Sequence, residues 1–253
     1  MKRILVLAAF TLAACGGSTP PPKTDESTET SHRPTGPVPV IQQELGSIDE
    51  RAVMQTFNKL QGPIGKCQAQ GRDRVEYLAG DVKVFLRIDQ NGKVRYGYFE
   101  ESSLGDRATE KCMLDVFAGA QWPKPIGGEA EVRNGFGFDP GGERPPTAWG
   151  PEKVMTAIDE SKTVKSDLAK CKATGMKITG YVVHEEGDDK DEHPGKKKPA
   201  KKDDKKHGGR FQAIGVSAPT KEAAEKIDCV VDALKDLKLQ SPGSYAAKVS
   251  FTL

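Results

Sequence analysis

Residues 81–99, DVKVFLRIDQNGKVRYGYF, contain the pattern that decides the fold of this chain. The first run alternates apolar and polar residues, which predicts a strand with one apolar face. That face consists of Val82, Val84, Leu86 and Ile88. A second alternating run follows the pair Asn91-Gly92, which is typical of the tight two-residue turn of a hairpin. The stretch therefore predicts an antiparallel β-hairpin.

Helical patterns flank the hairpin. Residues 47–60, SIDERAVMQTFNKL, begin with a candidate cap at Ser47 or Asp49 and repeat apolar side chains at helical spacing. Gly62-Pro63 predicts an interruption, after which a second helical piece follows. Beyond the hairpin, residues 109–117, TEKCMLDVF, predict an amphipathic helix, and residues 128–138, GEAEVRNGFGF, predict a last strand.

The second half of the chain repeats this order. Its helical pair, two strands, helix and last strand are predicted at residues 150–173, 176–186, 209–218, 220–237 and 244–253. Such a repeat indicates an internal duplication. We therefore predict an α+β chain with two tandem α-β-β-α-β domains, at residues 47–140 and 149–253. Each domain is expected to be a small antiparallel sheet packed on helices.

Residues 1–14 predict a lipoprotein signal peptide. A short basic start precedes an apolar run that is too short to span a bilayer, which takes about 20 apolar residues. Residues 12–15, LAAC, resemble the bacterial lipobox, which implies that Cys15 becomes the lipidated first residue of the mature protein. Gly16, rather than an aspartate, follows it, and this favours the outer membrane in lipoproteins of this type. A cleaved signal with a coincidental cysteine is the alternative.

Residues 15–46 predict a disordered stalk. They are rich in proline, serine and threonine and nearly free of large apolar side chains. Such a composition buries too little apolar surface to offset the conformational entropy lost on folding. The stalk is expected to be extended where prolines cluster and to hold the folded part away from the membrane.

The cysteine pattern follows the repeat. Export places the chain where disulfide bonds persist, and the four cysteines beyond Cys15 allow three pairings. Each repeat has one cysteine at the end of its first helical region and one in its later helix, which favours the pairs Cys67–Cys112 and Cys171–Cys229. A zinc site or a redox-active pair would need cysteines a few residues apart, and the sequence has none. Reduced, buried thiols are the alternative.

A highly charged segment occupies the second hairpin, where the first has its Asn-Gly turn. Residues 185–208 predict a solvated, disordered insertion. Its lysine-rich part, residues 196–206, is also a candidate contact for anionic lipid or cell-wall polymer, through Lys196, Lys197, Lys198, Lys201 and Lys202. Nearby histidines and carboxylates have no spacing that fixes a metal site, and none is predicted.

The sequence lacks the common signatures of enzymes: G-x-S-x-G, H-E-x-x-H, the P-loop and the Rossmann glycine pattern. His184, at a strand end, is the nearest candidate for a Ser-His-Asp arrangement. We therefore predict no catalytic residue and no cofactor, with a thiol oxidoreductase or hydrolase as the remote alternative. Trp122 and Trp149 are predicted to pack at domain edges.

Residues 80–104, GDVKVFLRIDQNGKVRYGYFEESSL, the following KC helix and residues 122–132, WPKPIGGEAEV, resemble the AgmX/PglI C-terminal domain family. That module is similar in layout to the TonB C-terminal domain, and the match covers about residues 50–138. The second copy lacks the Ser-Ser-Leu and Trp-Pro segments and is assigned on the repeat alone. The resemblance implies a non-catalytic interaction module of exported, often lipid-anchored proteins of Gram-negative bacteria, linked to gliding motility or envelope assembly.

Together these features predict a lipid-anchored protein on the periplasmic face of the outer membrane of a Gram-negative bacterium. Its two TonB-C-like domains are expected to bind an unidentified envelope protein. The alternative hypothesis is a binder of anionic lipid or cell-wall polymer through residues 196–206. Export and a net charge of only +2 argue against a nucleic-acid partner.

Overall fold

The computed structural model describes residues 45–172, 174–185 and 208–253. The elements of the first half are α1 (Glu50–Arg72), β1 (Gly80–Ile88), β2 (Val94–Ser102), α2 (Arg107–Gly119) and β3 (Ala130–Phe138). Those of the second half are β4 (Thr147–Ala148), α3 (Pro151–Glu160), α4 (Lys162–Cys171), β5 (Lys177–His184), β6 (Gly209–Ser217), α5 (Lys221–Ala224), α6 (Ile227–Leu234) and β7 (Ala247–Thr252). None of the helices in these ranges is long and apolar enough to cross a membrane.

The described chain is mixed α+β, with small, mainly antiparallel sheets packed against helices. In the first sheet β1 lies between β2 and β3, and in the second β5 lies between β6 and β7. Both hairpins therefore place their first strand in the centre, as a duplicated unit would. The short strand β4, which the sequence pattern does not predict, pairs in parallel with β7.

Helix α1 runs without a break, so the predicted interruption at Gly62-Pro63 is wrong. Asp49 caps the helix by accepting a hydrogen bond from the backbone N–H of Ala52 at 3.1 Å. Pro63 removes one hydrogen-bond donor from the helix. A continuous helix nevertheless keeps its buried residues on one face: Val53, Phe57, Ile64, Cys67 and Gly71.

The first hairpin has the predicted strands but a longer loop. The carboxylate of Asp89 accepts hydrogen bonds from the backbone N–H groups of Asn91, at 2.8 Å, and Lys93, at 2.9 Å. These bonds order a loop of residues 89–93, so the predicted two-residue turn is wrong. The apolar face of β1 is confirmed, since its four predicted residues are at most 3% exposed.

The later helix of the second half is also divided. Residues 220–237 form α5 and α6 instead of the single helix that the pattern predicts. The break lets α6 direct its apolar side chains into the second core: Ile227, Val230 and Leu234. The preceding helical pair, α3 and α4, is divided at Ser161, whose hydroxyl caps α4 by accepting from the N–H of Val164 at 3.3 Å.

The two disulfide bonds join Cys67 to Cys112 and Cys171 to Cys229, the pairs that the repeat predicts. One bond connects α1 with α2, and the other connects α4 with α6. Each bond therefore ties the first helical region of a half to its later helix.

The two halves pack against each other along β6, and the residues from Leu45 onward belong to one compact unit. The backbone N–H of Ala218, just beyond β6, donates to the carbonyl of Phe99 in β2 at 3.0 Å. The hydroxyl of Tyr77 donates to the side-chain carbonyl of Gln212 at 2.6 Å. We call this surface, formed by β2 and α2 on one side and β6 on the other, the junction.

Candidate functional site

The sequence-predicted site residues fall in different parts of the chain. The lipidation residue Cys15 and the lysines of residues 196–206 lie outside the described residues. His184 ends β5, and its Nδ1 shares a hydrogen bond with the hydroxyl of Ser241 at 3.0 Å. In residues 45–172, 174–185 and 208–253, no group of His, Cys, Asp and Glu side chains is arranged to hold a metal ion.

Strand β3 presents an edge on which a further strand can pair. Among the described strands it pairs with β1 alone. The chain already uses the start of this edge, because the N–H of Gly46 donates to the carbonyl of Glu129 at 2.8 Å. Just before that point, Ser47 and Ile126 form an antiparallel bridge. Unpaired backbone groups on such an edge are a template for another chain.

The direction of the backbone groups along β3 follows from the Gly46–Glu129 contact. The carbonyl of Glu129 faces outward, and successive residues of a strand direct their backbone groups to alternate sides. The outward groups of β3 therefore belong to the odd-numbered residues: Glu131, Arg133, Gly135 and Gly137. Two of these four have no side chain, which lets another backbone approach closely.

A groove of about 380 Å³ lies beside this edge, between α1 and the second half of β3. Helix α1 contributes Met54, Phe57, Asn58, Gln61, Ile64 and Gly65, and β3 contributes residues 134–138. We call this site the β3 groove. Its floor is apolar, because Phe57 and Ile64 are buried and the half-buried rings of Phe136 and Phe138 meet edge-on, with centroids 5.6 Å apart.

Exposed apolar side chains border the same edge. The large hydrophobic residues most exposed in the described chain are Leu45 at 57%, Met54 at 50% and Ile126 at 80%. Met54 lines the β3 groove, and Leu45 and Ile126 lie at the start of β3. Met54 therefore adds an exposed apolar side chain to the β3 groove, whereas Leu45 and Ile126 lie before the opposite end of β3.

Charged side chains cover the outer face of the first sheet. Arg87 donates to Glu129 at 2.8 Å and to Glu131 at 3.0 Å. The hydrogen bond from Arg87 is the main reason that the pKa of Glu129 lies below its usual range. Arg133 bonds to Glu100 at 2.9 Å and packs over the ring of Phe85, 4.6 Å from its centroid.

The two sides of β3 therefore differ in chemistry. The outer face carries ion pairs, and the β3 groove is lined by apolar, amide and glycine residues, with no titratable side chain among its lining residues. This arrangement suits the binding of an extended peptide.

The sequence pattern predicts β3 but not the groove beside it. The run NGFGF, residues 134–138, alternates aromatic residues with glycines, and this is the signal that could have identified a strand open to another backbone. The position of α1 alongside the strand is a tertiary feature with no sequence signal. Comparison of the chain with protein-family models, curated proteins and solved structures finds no match.

Proposed function

We propose that this chain is a non-catalytic, lipid-anchored envelope protein that binds an extended segment of another envelope protein at the β3 groove. The observation that carries the proposal is the edge of β3 that no other described strand pairs with, beside an apolar groove. In recognition of this kind, main-chain hydrogen bonds provide affinity, and pockets for alternate side chains provide specificity.

The two faces of β3 define the chemistry of the bound segment. Alternate residues of an added strand point to opposite faces of the sheet. Residues on the helix side would meet Met54, Phe136 and Phe138 and should be apolar. Residues on the other side would meet Glu131 and Arg133 and should be polar or charged.

The order of elements in the two halves supports an interaction module. Both halves share the order of helix, hairpin, helix and strand, and in both sheets the first hairpin strand lies between the second and the last strand, with β4 added beyond β7 in the second sheet. The corresponding strand of the second half, β7, is already partly paired, because the N–H of Thr147 donates to the carbonyl of Ala246 at 3.0 Å. The N–H of Trp149 donates to the carbonyl of Lys248 at 2.9 Å. These contacts favour the first half as the binding half.

The proposed lipid anchor at Cys15 would tether this site to the periplasmic face of the outer membrane. Residues 15–44 separate the anchor from the first described residue. A fully extended chain of that length reaches at most about 100 Å. The tether would therefore let the β3 groove reach a partner at any distance up to that length from the membrane while the protein stays anchored.

Site-specific photo-crosslinking tests the proposal. A photoreactive amino acid replaces Met54 in the full-length, membrane-anchored protein, and intact cells are irradiated. The matched control replaces Gln55, which is exposed on α1 but does not line the groove. We expect a discrete adduct with one envelope protein from position 54 and a much weaker one from position 55. Mass spectrometry should map the crosslink to a segment that alternates apolar and polar residues.

The outcomes separate this proposal from its alternative. Equal adducts from positions 54 and 55, or a crosslink only to lipid, would contradict docking in the β3 groove. Under the alternative, in which residues 196–206 bind anionic lipid or wall polymer, binding should weaken steeply with added salt. Binding at the β3 groove should persist at high salt, because it depends on backbone pairing and apolar contact.

A further inference from the structure

A carboxylic acid is completely buried at the junction of the two halves. The side chain of Glu110, in the first turns of α2, is 0% exposed. Its Oε1 accepts a hydrogen bond from the hydroxyl of Ser102 in β2 at 2.6 Å. Its Oε2 accepts from the backbone N–H of Val216 in β6 at 3.2 Å. This one side chain therefore joins three elements from both halves.

Glycines let the carboxylate approach the backbone of β6. A Cβ atom added to Gly215 would lie 2.5 Å from Oε1 of Glu110 and 2.9 Å from the Cα of Gly105. No side chain fits between the carboxylate and the strand. The contact is therefore a close-packed one, and a small separation of α2 from β6 would break it.

The charged groups near Glu110 are largely engaged with one another. Asp106 raises the pKa of Glu110 and Arg107 lowers it, and both effects are smaller than that of burial. Arg107 is bonded to Asp228 of α6 at 2.8 Å, and Asp106 is bonded to Arg74 at 2.5 Å. In the part of the chain that the structure describes, no cation forms a salt bridge with Glu110. Burial raises the pKa of Glu110 to about 7.

We propose that Glu110 is a proton-operated clasp between the two halves: the protonated acid holds α2 against β6, and the ionised acid loosens the junction. The protonated acid can reverse its bond with Ser102 by donating its O–H to the hydroxyl oxygen, which also accepts from the N–H of Leu104 at 3.2 Å, while Val216 still donates to the other oxygen. The ionised acid keeps the same two bonds, which favour it, but it has no salt-bridge partner among the described residues, and the burial of its charge is the larger effect.

Loosening the junction would affect a defined set of groups. The N–H groups of Val216 and Ala218 on β6 are satisfied by Glu110 and by the carbonyl of Phe99, and both bonds cross the junction. Opening would expose these groups and the facing edge of β2 to solvent. The device lies away from the β3 groove, so it regulates the association of the halves independently of the proposed binding site.

Hydrogen exchange on the full mature chain in detergent micelles tests the clasp. The protection of the Val216 and Ala218 N–H groups, corrected for the pH dependence of intrinsic exchange, is measured from pH 5 to pH 8. We expect the protection of these two groups to fall by about 100-fold between pH 5 and pH 8, relative to the N–H groups of β1. The reason is that proton binding to Glu110 favours the state in which α2 is held against β6. Glu110→Gln keeps an amide that can bond to both Ser102 and Val216, and it should show no such fall.

Glu101→Gln is the matched control, because Glu101 is exposed on the neighbouring strand and should leave the pH dependence as in the wild type. The proposal is overturned if the protection falls as much in Glu110→Gln as in the wild type. It is also overturned if the protection falls equally in β1 and β6. Carbon NMR of the Glu110 carboxyl in the wild-type chain gives a second test, which does not depend on the folding of a variant. A titration midpoint near 7 is expected, and a midpoint between 4 and 5 would overturn the clasp.

Discussion

The carboxylate of Glu110 accepts a hydrogen bond from the backbone N–H of Val216, 3.2 Å away, and the two residues are separated by 106 positions in the chain. The bond crosses from a helix of the first half to a strand of the second. It satisfies a backbone group on the free side of β6, which would otherwise be an unpaired edge. The two halves of the chain therefore cover each other's strand edges at the junction.

The stability of the folded chain should fall as the pH rises from about 4.5 to about 7. The pKa of Glu110 is about 7 in the folded state and has an ordinary value of 4.5. The folded state therefore binds more protons in this window, so its stability is highest below the ordinary value and is lost as the pH rises. The difference corresponds to about 3 kcal/mol in the free energy of unfolding. Urea unfolding at pH 5 and pH 7.5 should detect about 2 kcal/mol of it.

The other groups among the described residues whose pKa is shifted act outside this window. Arg87 lowers the pKa of Glu129, so its stabilisation is lost as the pH falls below its ordinary value of 4.5. Burial lowers the pKa of Lys248 from 10.5 to about 8, which affects stability only in the alkaline range. Glu110→Gln should therefore unfold at nearly the same urea concentration at pH 5 and pH 7.5. A variant as pH-dependent as the wild type would show that another group is responsible.

Removing one disulfide bond should cost about 4 kcal/mol in the free energy of unfolding. The bonds close loops of 45 and 58 residues, and the chain-entropy model gives nearly the same value for both. Urea unfolding of the double variant Cys67→Ala/Cys112→Ala and of Cys171→Ala/Cys229→Ala, each compared with the wild type, measures this cost. Peptide mapping without reduction should recover only the two pairs of the structure, and a major cross-half peptide would contradict the pairing.

Replacing residues 186–207 with Asn-Gly should leave the second half folded. The N–H of Glu185 donates to the carbonyl of Gly208 at 2.7 Å, so the ends of the segment are already adjacent. Because each doubling of a loop costs only about 0.6 kcal/mol, the melting temperature should be unchanged or slightly higher. The Met54-site adduct should survive. If the deletion removes both the binding to anionic vesicles and the Met54-site adduct, the alternative function is favoured.

Cys15→Ser should release the protein from the membrane fraction. We expect it to abolish acylation, because Cys15 is the residue that the lipobox resemblance assigns to the lipid. Metabolic labelling with a fatty acid and fractionation after a high-salt wash measure the two effects. If the unacylated variant still fractionates with membranes, the lipobox interpretation is wrong or a tight partner retains the protein.

Local patterns in the sequence predicted the strands of the first half well. Alternation fixed the buried face of β1, because a half-buried strand must direct every second side chain into the core. The alternation was less informative in β2, where Arg95 and Glu100 are extra residues in the pairing with β1. The extra Arg95 places Val94 opposite Ile88 while Tyr96 lies opposite Arg87, and the sequence gives no sign of this shift.

Features that depend on tertiary contacts were not predictable. Pro63 favours a helix break locally, but burial of one continuous face and the Cys67–Cys112 bond keep α1 intact. Glu110 occupies an ordinary polar position in a helical pattern, so its burial becomes evident only when β6 packs on α2. The β3 groove likewise requires α1 to lie beside the strand.

The central claim, that a partner pairs with the edge of β3, is tested most directly at Gly135. Gly135→Pro removes an outward N–H that pairs with no described strand, and Gly135→Ala retains it. The added Cβ of the alanine variant would have its nearest neighbour at 3.6 Å, the carbonyl of Val82. The alanine variant should therefore fold, and the proline variant should fold because proline is tolerated on an edge strand where its N–H would face outward; melting temperatures verify both. We predict that the adduct from position 54 falls at least about tenfold in Gly135→Pro and persists in Gly135→Ala. An undiminished adduct in a folded Gly135→Pro protein would contradict strand pairing at β3.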